Sequence, residues 1–109
     1  MKYHNKKTVR DGITFDSAAE AGRYSFLSLL EKSGKICCLE RQPIIEIAPG
    51  VKISGQKRKS PAIRYVGDFA YMENGQRVIE DVKGVLTPVY KLKRHLLALQ
   101  GVEIKEVKA

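Results

Sequence analysis

Asp68, Asp81 and Lys83 are the residues of this chain whose types and spacing could do chemistry. Two carboxylates held a few ångströms apart repel each other, and burying them bare is costly. A hard divalent cation removes that conflict. Mg²⁺ takes oxygen ligands, keeps several waters, and is commonly held by one or two carboxylates plus a substrate phosphate. Such an ion polarises a phosphodiester, lowers the pKa of a bound water and steadies the leaving oxygen. A lysine beside it orients the attacking water or stabilises charge on the pentacoordinate phosphate. The three side chains thus have the types a metal-dependent phosphodiesterase needs, and Glu20 offers a further carboxylate. A blander reading competes, since Asp-Val-Lys on a strand is often only a salt-bridged edge and Glu20 alone fits a helix cap. Asp68 weighs against it, because it sits in a run of apolar residues where an unpaired carboxylate is unwelcome.

The positioning element is a β-hairpin across Arg64–Lys83. Runs rich in Val, Ile, Tyr and Phe flank Glu73-Asn74-Gly75-Gln76, and Asn-Gly is a strong hairpin-turn signal. Side chains alternate along a strand. Ile63, Tyr65, Phe69 and Tyr71 are therefore expected on one face, with Arg64, Val66, Asp68 and Ala70 on the other. On the second strand Ile79, Asp81 and Lys83 share a face, opposite Val78, Glu80 and Val82. Asp81 and Lys83 project together, and the register decides whether Asp68 joins them.

Around this hairpin the remaining elements follow from local signals. Phe15-Asp16-Ser17-Ala-Ala-Glu20 opens a helix that Asp16 or Ser17 can cap, with Ser17 and Glu20 at capping-box spacing. It runs to about Lys32, ended by Ser33-Gly34, with Ala19, Gly22, Phe26, Leu27, Leu29 and Leu30 as its buried face. Glu20 falls at the wet edge of that face. Ile36–Ile47 is extended, clearest from Pro43 to Pro49. Residues 50–61 read as a mobile basic loop. Thr87 and Pro88 cap and open a second helix, whose inner stripe is Val89, Leu92, Leu96 and Leu99, with Lys91, Arg94 and His95 mostly opposite. Gly101 stops it, and Val102–Val107 forms a last strand. Helix, three strands, helix and strand make an α/β domain with a mixed sheet flanked by helices.

A chain of 109 residues is one domain, 1–109, able to bury about two-thirds of its unfolded surface. The formal net charge of +8 favours a polyanionic partner, most simply nucleic acid, over an acidic membrane surface. Its basic groups are an N-terminal arm (residues 1–12), the Lys57-Arg58-Lys59 loop and the Lys91/Arg94 helix face. Phosphate contacts from these would give salt-dependent, largely sequence-independent affinity. No apolar run reaches membrane-span length and the start lacks a signal-peptide pattern, so no membrane partner and a cytoplasmic setting are expected. The only cysteines, Cys37 and Cys38, are adjacent, which suits neither a disulfide framework nor a zinc site.

Taken together, Asp68, then Asp81-x-Lys83 after a hairpin-length gap, with Glu20 on a preceding helix, resembles the PD-(D/E)xK nuclease superfamily. The element order resembles its restriction-endonuclease-like α-β-β-β-α-β core. Phe15-Asp16-Ser17-x-x-Glu20, Leu39-Glu-Arg-Gln42-Pro43, Tyr65-x-x-Asp68-Phe69 and Ile79-Glu-Asp81-Val-Lys83-Gly84 are similar to small phage and prophage proteins of that superfamily, described as resolvase-like or endonuclease-like. The resemblance implies that Asp68 and Asp81 ligate Mg²⁺, with Mn²⁺ able to substitute, and that Lys83 serves the attacking water. It further implies the Val82 carbonyl as a metal ligand, Glu20 as the helix-borne acid and Gln42 as an accessory residue. The chain departs from the pattern in having Gly67 before Asp68 rather than proline, and aspartate rather than glutamate at 81. Glu80 is the alternative second acid, but strand alternation turns it away from Lys83 unless a bulge intervenes.

The expectation is a Mg²⁺-dependent DNA endonuclease, structure-selective or junction-resolving, and a homodimer because cutting two strands takes two copies of a small domain. A DNA-binding module that keeps the fold without catalysis would explain the charge equally well. An RNA-directed nuclease differs only in substrate. A ribosome-associated or packaging-type structural protein needs the charge alone.

Overall fold

A long antiparallel ribbon, bent in the middle, forms the spine of the protein in a computed structural model that describes residues 6–109. Its two sides are β3 (Cys37–Arg41) followed by β4 (Ile44–Ala48), and β5 (Ile63–Val66) followed by β6 (Phe69–Glu73). The same register runs through the bend, with Arg41 opposite Phe69 on one side and Ile44 opposite Val66 on the other. β6 turns at Asn74-Gly75 into β7 (Gln76–Lys83), and both turn residues have positive φ, 52° and 76°. These are the signs that a two-residue type I′ hairpin demands. α2 (Pro88–Leu99) then leads to β8 (Ile104–Lys108), which pairs parallel to β7. The main sheet has the order β3-β6-β7-β8 and is mixed. Before it come a small hairpin, β1 (Thr8–Arg10) and β2 (Ile13–Phe15), and the helix α1 (Ala18–Lys32). The protein is a mixed α/β fold.

Both helices start where their caps predict. Ser17 Oγ accepts from the Glu20 N–H, and Thr87 Oγ1 accepts from the Tyr90 N–H with Pro88 in the first turn. Their buried faces differ from expectation. On α1 the buried residues are Glu20, Ala21 and Leu27, with Tyr24 and Leu30 packed alongside, whereas Gly22, Phe26 and Leu29 are exposed and Ala19 is half-buried. Glu20 therefore lies on the inner face and not at a wet edge. On α2 the inner residues are Tyr90 and Leu97; Val89, Leu92 and Leu99 point outward at 63%, 60% and 74% exposure, and Leu96 is half-buried. The period holds while the phase turns by about 100°, one residue. Tyr90 wins the inner position because its ring packs on Tyr65 and its hydroxyl donates to Glu106 Oε2 at 2.6 Å.

Two further expectations change. The segment 50–61 is a loop closed at its base: Val51 and Ser60 exchange both backbone hydrogen bonds, at 2.9 and 2.7 Å, which extends the ribbon by one pair beyond β4 and β5. The N-terminal basic arm, in its described part, is the β1–β2 hairpin packed on α1. Lys2 and the rest of residues 1–5 lie outside the described residues.

Two apolar clusters cover the two faces of the sheet. Phe15, Ala21, Leu27, Ile36, Phe69 and Tyr71 pack beneath α1, and Tyr65, Ala70, Ile79, Tyr90 and Leu97 pack beneath α2. Glu80 is embedded in the first face with no exposure. Arg23 grips it through two hydrogen bonds of 2.7 Å, and the Tyr71 hydroxyl donates to it as well. Burial alone would raise the Glu80 pKa, but the Arg23 and Tyr71 bonds and the Arg23 charge outweigh burial and hold it below the usual carboxylate range. A depressed carboxyl adds stability above its unfolded pKa of about 4.3 that is lost as pH falls through the folded value. Glu80→Ala, which strands Arg23 and the Tyr71 hydroxyl, is expected to cost about 3 kcal/mol in urea unfolding at neutral pH. Its deficit against the native protein shrinks as pH drops below about 4.

Candidate active site

The bend in the ribbon builds the site. Gln42-Pro43 on one side and Gly67-Asp68 on the other interrupt the ladder together. The residue before a proline is steered away from helical backbone, and Gln42 goes further, to a φ of +53°. The corner is pinned by the Gln42 N–H to the Asp68 carbonyl and the Gly67 N–H to the Pro43 carbonyl, both 2.9 Å, and by the Asp68 N–H to the Glu80 carbonyl at 3.0 Å. The packing at 67 is tight. A Cβ there would stand 3.1 Å from Ile79 Cγ2 and 3.3 Å from Pro43 Cγ, so its neighbours would have to give by a few tenths of an ångström.

The corner also resets side-chain alternation. Tyr65 joins the α2-side cluster and Phe69 the α1-side cluster, so the expected common face for Tyr65 and Phe69 is overturned. Asp68 meanwhile reaches across to β7, where its Oδ2 accepts the Val82 N–H at 2.6 Å. Its carboxyl stands close enough to Asp81 to share a hydrogen bond with it. On β7 the alternation is undisturbed. Lys83 Nζ lies 3.3 Å from Asp81 Oδ2, and Glu80 points to the other face. Asp68, Asp81 and Lys83 therefore come together, and Glu80 is committed to Arg23.

The tyrosines around the group were not singled out from sequence. The Tyr65 hydroxyl donates to Asp81 Oδ2, and the Lys83 ammonium lies 3.9 Å from the centre of the Tyr90 ring. Burial, then Asp81, raises the Tyr65 pKa, so its hydroxyl stays a donor. Asp81 is thus clamped from two sides, and Lys83 is held between a carboxylate and an aromatic face.

Glu20 approaches from α1 and makes no hydrogen bond to either aspartate among the described residues. Its pKa is raised by burial first, then by Asp16 and Asp81, against the lowering effect of Arg41. Arg41 is the other residue that sequence reasoning passed over. Its guanidinium lies 4.8 Å over the Phe15 ring, and its Nε is buried without a hydrogen-bond partner. The Gln42 side chain is exposed, and its contribution is the backbone bond to Asp68. Of the basic candidates, Lys57, Arg58, Lys59 and Lys91 are exposed. Arg94 remains partly exposed and is bonded to Glu106 Oε2 at 2.7 Å beside the Tyr90 ring.

A cleft of about 630 Å³ opens beside Lys83, lined by Val82, Gly84 and Val85 and by the starts of both helices at Ser17 and Thr87, with Lys6 at its margin. Helix N-termini and lysines make such a space favourable for anions. Among the described residues no group of three or more His, Cys, Asp or Glu side chains forms a ready cation cage. The donors present are two hard carboxylates, each with one oxygen already engaged. That set suits a Mg²⁺ shared with a substrate phosphate better than a cation enclosed by protein alone. No helix among the described residues is long and apolar enough to cross a membrane.

Fold and site together define a small mixed α/β domain with a carboxylate–lysine group at a bend between strands. The whole chain, residues 1–109, matches the profile of the family described as "Protein of unknown function (DUF1064)", and it belongs to that family. No curated protein matches it.

Burial pushes the Asp68 carboxyl up to about 8, with Asp81 and Glu20 adding to the rise and the Val82 N–H opposing it. An aspartate in the unfolded chain ionises near 3.9. Between those values the folded protein holds a proton that the unfolded chain has released, so stability falls as pH rises through the window. In chelator-containing buffer, the urea midpoint is expected to drop between about pH 5 and about pH 8. Asp68→Asn keeps an acceptor for the Val82 N–H and should flatten that drop; an unchanged slope would assign the proton elsewhere.

Proposed function

We propose that this protein is a metal-dependent endonuclease that hydrolyses phosphodiester bonds in DNA, selective for branched structures, in phage or prophage DNA metabolism. The observation that carries the reading is the convergence of Asp68, Asp81 and Lys83, of which Lys83 lines a cleft bordered by two helix N-termini and a second lysine. The order α1, three main-sheet strands, α2, β8 adds support, since it parallels the α-β-β-β-α-β core of the PD-(D/E)xK nucleases.

In this reading Asp68, Asp81 and the Val82 carbonyl hold Mg²⁺ or Mn²⁺, with Glu20 as the helix-borne acid beside them. The ion, when bound, supplies Lewis-acid polarisation of the phosphate and a more acidic water. The protein's own contribution is placement. Tyr65 and Lys83 hold the Asp81 carboxylate in one orientation, and the Val82 N–H does the same for Asp68. Lys83, restrained by the Tyr90 ring, presents its ammonium at the cleft, where it orients the incoming water and offsets charge on the phosphate. The cleft receives the backbone of the nucleic acid. Double-strand cutting calls for a homodimer, and the outward stripe of Val85, Val89, Leu92 and Leu99 is an apolar surface such as two copies would bury.

The test is cleavage of four-way junction, flap, duplex and single-stranded DNA, with matched RNA, in Mg²⁺ and Mn²⁺. Asp81→Asn and Lys83→Ala should each lower the cleavage rate by at least about 100-fold, while a non-cleaving Ca²⁺ buffer shows DNA affinity nearly intact. Cleavage retained by Asp81→Asn would sink the assignment of Asp81. Tight binding without cleavage of any substrate would identify a catalytically inactive DNA-binding module, and preferential cutting of RNA would move the substrate to RNA.

A further inference from the structure

The outer half of the bent ribbon carries chemistry that the active-site reading leaves unused. Between Glu46 and Asp68 the chain contains no acidic residue, yet it carries Lys52, Lys57, Arg58, Lys59 and Arg64. Every residue from Val51 to Lys59 is exposed. A solvated loop of that composition would be unremarkable, but this one is closed at its base by a strand pair and turned at its tip. The Val51–Ser60 pair closes it with two backbone bonds, and the Gln56 N–H bonds the Ile53 carbonyl at 3.0 Å to form the tip turn. At Gly50 a Cβ would come within 2.8 Å of the Ser60 carbonyl oxygen, so the two strands touch there at closest approach, with the Lys59 stem lying across the gap.

The base of the projection is anchored. Gln100 Nε2 donates to the Ile47 carbonyl and Lys93 Nζ to the Arg64 carbonyl, both at 2.8 Å, tying β4 and β5 to α2. The ribbon then runs from the Ile44–Val66 pair to the Val51–Ser60 pair, about 20 Å at a strand's rise per residue. The radius of gyration, 16.1 Å, exceeds the ~13 Å typical of a compact domain of about 100 residues, as an outlying element requires.

We propose that this ribbon is a duplex-DNA reader that inserts its tip, residues 52–59, into the major groove and docks flanking phosphates through Lys52, Lys57, Arg58 and Lys59. The inference rests on the nuclease reading for its partner, and it assigns the contact to an element separate from the carboxylates. A two-stranded ribbon fits the major groove of B-DNA, about 12 Å wide. The deep, narrow major groove of A-form RNA excludes it. The same strand leads from the tip to the site, since β5 ends at Val66 and Asp68 follows at the bend. A tip seated in the groove would therefore fix where along the duplex the backbone meets Lys83. Val51 and Ile53, both exposed, would lie against base edges and sugars.

The experiment uses the full chain in Ca²⁺ buffer with a fluorescent DNA duplex and an RNA duplex of the same sequence, titrated over a range of salt. One variant replaces Lys52, Lys57, Arg58 and Lys59 by Gln; a second replaces residues 52–59 by Asn-Gly, closing the Val51–Ser60 pair with a short turn. Neither removes a core residue, and thermal melting checks the fold. For duplex DNA, both should weaken binding at least about tenfold and reduce the salt slope by about 3, with little change for RNA. If the native protein binds DNA and the variants bind with unchanged affinity and slope, the ribbon is no reader, and the site reading stands untouched. An equal loss on RNA would overturn the groove assignment in favour of plain charge attraction. A native protein that binds neither duplex would overturn the ribbon's role as a duplex reader, while the nuclease reading stands or falls on the junction and flap cleavage described above.

Discussion

The coordinated break at Gln42-Pro43 and Gly67-Asp68 is the constraint on which the rest of the structure depends. An antiparallel ladder satisfies its backbone groups pair by pair, and a bend leaves some of them without regular partners. Here the loss is made good by three bonds, from Gln42 to Asp68, Gly67 to Pro43 and Asp68 to Glu80. The last of these reaches β7, so the bend is stitched to the strand that carries Asp81 and Lys83. Pro43 has no N–H to satisfy, and Gly67 has no side chain to accommodate. Those two residues let both strands turn at one level, and Asp68 is delivered to β7 as a result.

β7 itself separates two tasks by alternation. Glu80 faces α1 and makes a buried, fully bonded ion pair; Asp81 faces α2 and pairs with Lys83, which lines the cleft. Both are acidic, adjacent and almost entirely buried, yet their surroundings divide them. Glu80 has a bidentate arginine and a tyrosine hydroxyl that satisfy it within the protein. The Asp68–Asp81 pair has one backbone N–H, one tyrosine and one lysine for two carboxylates, and Asp68 keeps its proton up to about 8. The first arrangement is complete by itself, and the second leaves room for a positive charge.

Much of this was readable in the residues, and the parts that were not have physical reasons. The Asn74-Gly75 turn and the Val-Ile-Glu-Asp-Val-Lys run sit in an unbroken ladder, where alternation alone puts Asp81 with Lys83 and Glu80 opposite. Both helix starts followed from their caps. The face of Tyr65 was not legible, because alternation carries no information across a bend that needs tertiary packing to define it. The phase of α2 was not legible either, because the hydrogen bond from Tyr90 to Glu106, which fixes the inner side, depends on a strand further along the chain. The same rotation places Arg94 beside Tyr90, where it pairs with Glu106. On α1, Glu20 took an inner position that its charge argued against.

The two hairpins of the ribbon also differ in how they answer to a change of chain length. Because strand side chains have a period of two, adding or removing one residue at Asn74-Gly75 would turn Asp81 and Lys83 together toward Arg23 and bring Glu80 round to the Tyr65 and Tyr90 side. The structural acid and the site acid would exchange environments at a stroke. Residues 52–59 have no such duty, since the Val51–Ser60 pair sets the register before the tip begins. Insertions there lengthen the projection and leave the bend as it is. Variation in size is thereby steered to one end of the ribbon, while the other end admits substitution but not a shift of frame.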